Sequence, residues 1–200
     1  MYSKNLVRVC SHPRSGTHML LAILYKNFEF NQDISLVLSP RGMKWVDGRT
    51  KQVLVPWGKL HGTHKKFGVS KTDPKKRLIY LIRHPVDVMS SFWRFANNDL
   101  STEEYIKKSR IQFWYDSVKS YEGHAIFVRY EDLINDKQFV PELEKIRAAY
   151  KLKPKSGYPI KINEMVGWIP LNPKSTTYNR EYVTDLVKKV VPQGFFGYYF

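Results

Sequence analysis

An α/β fold built on a mainly parallel sheet is what this sequence predicts, and three observations predict it. Short apolar or β-branched runs at residues 5–10, 78–82 and 125–130 each lead into a turn and then a stretch with helical spacing. Strands alternating with helices in this way mark a parallel sheet flanked by helices. The run Leu78-Ile79-Tyr80-Leu81-Ile82 is unbroken by charged residues, as a strand buried on both faces of such a sheet requires. Hydrophobic residues make up 42% of the 200 and charged residues 26%, enough apolar material for a core. At this length one domain spanning residues 1–200 is expected.

Each element has a local reason. The first strand reads Asn5-Leu-Val-Arg-Val-Cys10, and the turn-rich patch Ser11-His-Pro-Arg-Ser-Gly-Thr17 follows it. Met19, Leu20, Ile23 and Leu24 then recur at helical spacing, which predicts a helix over 18–27. The second strand runs into Arg83-His84-Pro85, and Pro85 suits the first turn of a helix continuing through Phe95. A third strand, Ala125 to Tyr130, precedes Glu131-Asp132-Leu133 and a helix from Phe139 to Tyr150. A last helix is expected from Arg180 to Val191, before an aromatic tail at Phe195, Phe196, Tyr198, Tyr199 and Phe200. Residues 28–76 and 151–178, with scattered Gly, Pro and Lys, predict no regular element, and 93–123 reads as irregular loop. No repeat, low-complexity segment or domain boundary interrupts the chain.

Composition narrows the function classes. The longest apolar run, Met19 to Tyr25, is too short to cross a bilayer, and no apolar leader follows Met1. One cysteine, Cys10, excludes an internal disulfide framework and a Cys-rich zinc site. A soluble protein of a reducing compartment, the cytoplasm, without a membrane partner is the expectation. The net charge is +15, and it is uneven: residues 41–83 hold 12 basic and 2 acidic residues, while 84–150 hold 9 and 11. A basic excess concentrated in one segment favours a located anionic ligand over loose polyanion binding.

The two loops that follow the first two strands carry the chemistry. A strand turning through Pro13-Arg-Ser-Gly-Thr17 into a helix presents backbone N–H groups and a positive dipole end to an anion. Arg14 adds a forked cation, and Ser15 and Thr17 add hydroxyls. This is phosphate-cradle chemistry, and it differs from a Walker A loop, which needs two glycines framing four residues and then Lys-Ser/Thr. In the second loop Arg83 ends an apolar strand, the place where open α/β sheets bind ligands. Ser91 follows eight residues later on the next helix, deeper along it and within reach of a ligand only if that helix runs alongside. Asp87 near the start of that helix complements its dipole.

Together, Pro13-Arg-Ser-Gly-Thr17 and Tyr80-Leu-Ile-Arg-His-Pro-Val-Asp-Val-Met-Ser-Ser91 resemble the sulfotransferase family, which takes its sulfuryl group from 3′-phosphoadenosine-5′-phosphosulfate (PAPS). The resemblance implies a three-layer sandwich with a central, mainly parallel sheet, the P-loop-NTPase-like sulfotransferase fold. It implies that Arg14, Ser15, Gly16, Thr17 and His18 hold the 5′-phosphosulfate, and that Arg83 and Ser91 hold the 3′-phosphate. Phe127-Val-Arg-Tyr-Glu-Asp-Leu133 resembles a family strand whose tyrosine lies against the adenine, which carries over to Tyr130. The product nucleotide would be 3′-phosphoadenosine-5′-phosphate (PAP), the acceptor a small molecule or carbohydrate with a hydroxyl or amine, and no metal would take part.

Transfer to an alcohol needs a base near neutral pKa within reach of the hydroxyl. Family members acting on small alcohols and phenols carry a Lys-Thr-His segment, and the nearest match here is His61-Gly-Thr-His64. His64 falls on the family's base, with His61 as the alternative, and Gly62 stands where the family has a lysine. The family's C-terminal Arg-Lys-Gly clamp has no counterpart, although Lys174 and Arg180 lie in a basic loop near its place. Two other classes compete. A phosphoryl kinase of related fold lacks its Walker lysine and magnesium-holding carboxylate here. A nucleic-acid module would use the aromatics interleaved with lysines in 41–83, and nucleic acid is the less expected partner.

Overall fold

The computed structural model describes residues 7–29, 34–39, 42–47, 53–54, 77–96, 100–161 and 178–200. In chain order, the amino-terminal elements are β1 (Val7–Ser11), α1 (Thr17–Asn27), β2 (Ile34–Ser39), β3 (Gly42–Asp47), β4 (Val53–Leu54) and β5 (Arg77–Ile82). Then come α2 (Pro85–Ala96), α3 (Thr102–Tyr105), α4 (Lys108–Lys119), β6 (Ile126–Arg129), α5 (Tyr130–Leu133), α6 (Phe139–Tyr150) and α7 (Arg180–Lys188). A 3₁₀ turn at Phe195–Gly197 lies in the aromatic tail.

β1, β5 and β6 form a parallel sheet with β5 in the centre. Register aligns Val9, Ile79 and Ile126 in one row and Cys10, Tyr80 and Phe127 in the next. Because successive side chains of a strand point to opposite faces, each row serves a different core. Val9, Ile79, Leu81 and Val128 pack with Met19, Leu20, Ile23 and Leu24 of α1 and Leu143 and Ile146 of α6. Cys10, Leu78, Tyr80 and Ile82 pack on the other face with Met89 of α2, Trp114 of α4 and Val183 of α7. Helices thus cover both faces, the three-layer arrangement expected, and Leu78 through Ile82 are all buried as a central parallel strand demands. Tyr150 at the end of α6 donates its hydroxyl proton to the Leu78 carbonyl, tying the helix layer to the sheet.

The expected boundaries hold to within a residue or two for α1, α2 and α6. Tyr130 is the first residue of α5 rather than the last of the strand, and α7 stops at Lys188, short of Val191. Two expectations of irregular chain fail. Within 28–76, β2, β3 and β4 form an antiparallel sheet in which Ser39 pairs with Gly42. Within 93–123 lie α3 and α4. Ser101 starts α3 with a capping box, accepting from Glu104 N–H while its own N–H donates to the Glu104 carboxylate. In α4 the buried positions are Ile111, Trp114, Ser117 and Val118. Ser117 in that stripe bonds to the Tyr80 hydroxyl at 3.0 Å, and the exposed Phe113, off the stripe, blurs the helical spacing of Ile111, Trp114 and Val118 in the sequence.

Candidate active site

The three parallel strands end together at Ser11, Ile82 and Arg129, and the segments leaving them converge. After β1 the chain turns through 12–16. Ser15 N–H donates to the His12 carbonyl at 3.2 Å, and the Ser11 and Thr17 hydroxyls bond to each other across the turn. Arg14 has a φ of 69°, in the left-handed region that residues other than glycine seldom adopt, and Gly16 has a φ of 96°. Gly16 is needed for space as well. A Cβ there would lie 2.7 Å from Cδ2 of Tyr130, so only glycine lets the tyrosine ring pass over the loop.

Arg83 leaves β5 and lays its guanidinium 4.2 Å above the Tyr130 ring, while its Nη1 donates to the Arg14 carbonyl at 3.3 Å. Arg14 Nε donates to Ser91 Oγ of α2 at 3.2 Å, and its guanidinium lies 4.3 Å from the Phe95 ring centre. Ser91 therefore does face the loops. It meets Arg14 directly, although the resemblance places the two at opposite ends of a nucleotide. Burial, then Arg83, then Arg94 pull the Arg14 pKa below the ordinary guanidinium value. Among the described residues no carboxylate forms an ion pair with Arg14, Arg83 or Arg94. Among the described residues these three cations have no counter-charge, an arrangement that attracts an anion.

Two further features have the same sense. Ser15 is fully buried and its Oγ has no hydrogen-bond partner, and Arg83 Nε is likewise buried and unpartnered. Buried polar groups left without partners are uncommon and costly, and both sit where the loops converge. A phosphorylated nucleotide fits this donor set: Ser15 and the turn for one phosphate, Arg83 for another, the Tyr130 face beside them.

The expected residues are thus distributed as follows. Arg14, Ser15, Gly16 and Thr17 with Arg83, Ser91 and Tyr130 come together, and His18 stands in the first turn of α1. His61, His64 and Lys174 lie outside the described residues. Arg180 pairs with Asp87 at 2.8 Å on the surface, so its charge is already matched.

Sequence reasoning missed a brace behind the site. Glu131 accepts from His84 N–H and from the Tyr198 hydroxyl, each at 2.8 Å, so it joins the turn after β5 to the aromatic tail. Burial and Glu131 push the Tyr198 hydroxyl up, which keeps it a donor. The Tyr-Glu-Asp triplet was the available signal, but only the tyrosine attracts notice. His84 packs edge-on against Tyr198 and Phe200. Its burial lowers its pKa against the opposing pull of Asp87 and Glu131. The folded state thus favours the neutral ring, and the unfolded chain takes up the proton first as pH falls through ~6.5. The contribution is complete above that value and is lost on acidification. The melting temperature should fall between about pH 7 and pH 5, and less steeply in His84→Gln. Equal slopes would show that His84 does not carry the effect.

A parallel sheet covered by helices on both faces, with two arginine-bearing loops meeting at its carboxyl edge, defines an α/β protein of the doubly covered kind. The profile of the sulfotransferase domain matches residues 5–146. The chain belongs to the sulfotransferase family, and the matched span contains both loops, β1 through β6 and most of α6. No significant match to a curated protein or to a solved structure was found. Among the described residues no helix is long and apolar enough to cross a membrane, and no three His, Cys, Asp or Glu side chains are grouped to hold a metal ion.

Proposed function

We propose that this sulfotransferase draws its sulfuryl group from PAPS, transfers it to a hydroxyl or amine of a small acceptor, and releases PAP. The observation that carries the reading is the pair of buried, unpartnered donors, Ser15 Oγ and Arg83 Nε, beside the clustered charges of Arg14, Arg83 and Arg94. When bound, PAPS supplies an activated sulfuryl group on a phosphate leaving group. The turn over 13–17 binds the 5′ end through its N–H groups, Ser15 and Thr17. Arg83 and Ser91 bind the 3′-phosphate, and the Tyr130 ring, pinned between Gly16 and Arg83, supports the base. Arg14 stabilises the negative charge that develops on the leaving phosphate. His64, with His61 as alternate, takes the acceptor's proton. No metal has a part in this scheme, and fixed cations supply the positive charge.

The test is calorimetry with PAP beside adenosine 5′-phosphate. Arg83 would lose its phosphate partner in the second, and a charge-assisted hydrogen bond is worth ~1.5–3 kcal/mol. A preference for PAP of roughly tenfold or more is expected, and Arg83→Ala should erase most of it. Equal affinities would remove the 3′-phosphate role from this loop.

A further inference from the structure

The turn that carries Arg83 lies past the last strand pairs of the parallel sheet. β5 ends at Ile82, and its final pairs are Leu81 with Ser11 on one side and Ile82 with Arg129 on the other. The His84 carbonyl accepts from the N–H groups of Asp87 and Val88, each at 3.0 Å, and so opens α2. The His84 N–H, beyond the sheet and ahead of the helix, donates to Glu131 Oε1 at 2.8 Å. Both backbone groups of His84 are therefore held, and with them the planar peptide that joins it to Arg83. Glu131 adjoins Tyr130 at the start of α5, directly after β6. The Arg83 guanidinium lies 4.2 Å from the centre of that tyrosine ring. One carboxylate thus ties the exit of β5 to the exit of β6, and the stacked pair Arg83 and Tyr130 lies on the residues flanking that tie.

The other carboxylate oxygen is fixed from the aromatic tail. Glu131 Oε2 accepts from the hydroxyl of the buried Tyr198 at 2.8 Å. Tyr198 is anchored in turn: its carbonyl accepts from Gly194 N–H at 2.9 Å, and the Arg129 guanidinium lies 4.8 Å from its ring centre. The His84 ring meets Tyr198 and Phe200 edge-on at 5.2 and 5.3 Å, so the tail grips the same residue twice. These tail residues lie outside the span 5–146 that matches the family. We infer that Glu131, fixed by Tyr198, is a positioning residue: it sets the aim of Arg83 and thereby the discrimination for a nucleotide that carries a 3′-phosphate. The inference rests on the reading above that Arg83 meets that phosphate. A negative charge close to an anion site opposes binding by charge alone, so the place of Glu131 is explained by the two bonds it accepts. A guanidinium binds a phosphate through a rigid fork, and a fork turned aside keeps its charge but loses its directed bonds. The loss would therefore fall on the 3′-phosphate and spare the rest of the nucleotide.

The experiment measures the ratio of PAP to adenosine 5′-phosphate affinity, by calorimetry on the full chain, in the unmodified protein and in Glu131→Ala, Glu131→Gln and Tyr198→Phe. Glu131→Ala should lower the ratio about fivefold, the worth of one lost hydrogen bond, with adenosine 5′-phosphate affinity nearly unchanged. Glu131→Gln keeps an acceptor oxygen for His84 N–H, and its amide can donate to the Tyr198 hydroxyl, so it should retain the ratio. Tyr198→Phe frees one side of the carboxylate and should lower the ratio by a smaller factor, about twofold. A merely structural role for Glu131 would lower the melting temperature and weaken both nucleotides together, leaving the ratio where it was. Should Glu131→Ala fail to fold, Tyr198→Phe, which removes a single oxygen, carries the test in its place. A ratio unchanged in the folded variants overturns the positioning role alone. A ratio lost as fully in Glu131→Gln as in Glu131→Ala assigns the effect to charge and overturns it as well. No preference for PAP in the unmodified chain overturns the 3′-phosphate reading of Arg83, and this inference with it.

Discussion

His64→Ala is expected to lower sulfuryl transfer by ~10²–10⁴-fold, the range for loss of a general base, while PAP binding stays nearly unchanged. The argument is positional. His64 ends the Gly-Thr-His segment that resembles the family's Lys-Thr-His base segment, nineteen residues before Arg83. Arg83 follows the end of β5 and lies over the Tyr130 ring. Turnover should fall on the acid side around the imidazole value of ~6.5, as the base takes up a proton. His61→Ala serves as the comparison, because three residues separate the rings and in an extended segment they would point to opposite sides. Full activity in both single variants and in the double variant would rule histidine out as the base.

The parts of the fold legible in the sequence are those whose burial is uniform. Leu78 through Ile82 are apolar because both faces of β5 are covered, and α1 shows its spacing because one stripe faces the sheet. The two loops at the carboxyl edge of the sheet were legible for a chemical reason: the motifs Pro13-Arg-Ser-Gly-Thr17 and Arg83 to Ser91 combine residue types few other turns use. The antiparallel sheet β2–β4 carries no comparable signal, since Lys44 and Asp47 stand among its apolar residues and Pro40 interrupts the run. α4 was blurred by Phe113, an exposed aromatic residue that stands off the buried stripe of Ile111, Trp114 and Val118. Glu131 was hidden because a brace works through geometry. Nothing in a Tyr-Glu-Asp triplet tells that the carboxylate reaches a backbone N–H forty-seven residues earlier and a tyrosine sixty-seven residues later.

Arg14→Ala should lower kcat by ~10²–10³-fold, the cost of removing one donor aimed at developing charge, and weaken PAP binding far less. The separation follows from where the charge appears. As the S–O bond breaks, negative charge grows on the phosphate that leaves, and stabilisation confined to that stage lowers kcat with little effect on ground-state binding. The structure gives Arg14 the attributes this requires. The left-handed backbone at φ 69° turns the residue out of the strand-to-helix turn. Phe95 and Ser91 hold the guanidinium from α2, and Arg83, just past the end of β5, donates to its carbonyl. With burial and two neighbouring arginines disfavouring its charge, an incoming anionic group relieves a repulsion already present. Arg14→Lys is the sharper comparison. A lysine keeps the charge but loses the fork that reaches Ser91 and a phosphate together. Recovery of most of the rate in Arg14→Lys would assign the effect to charge alone, and no recovery would assign it to the directed hydrogen bonds. A rise in KM for PAPS with kcat unchanged in Arg14→Ala would reduce Arg14 to an anchor, since uniform binding leaves turnover untouched.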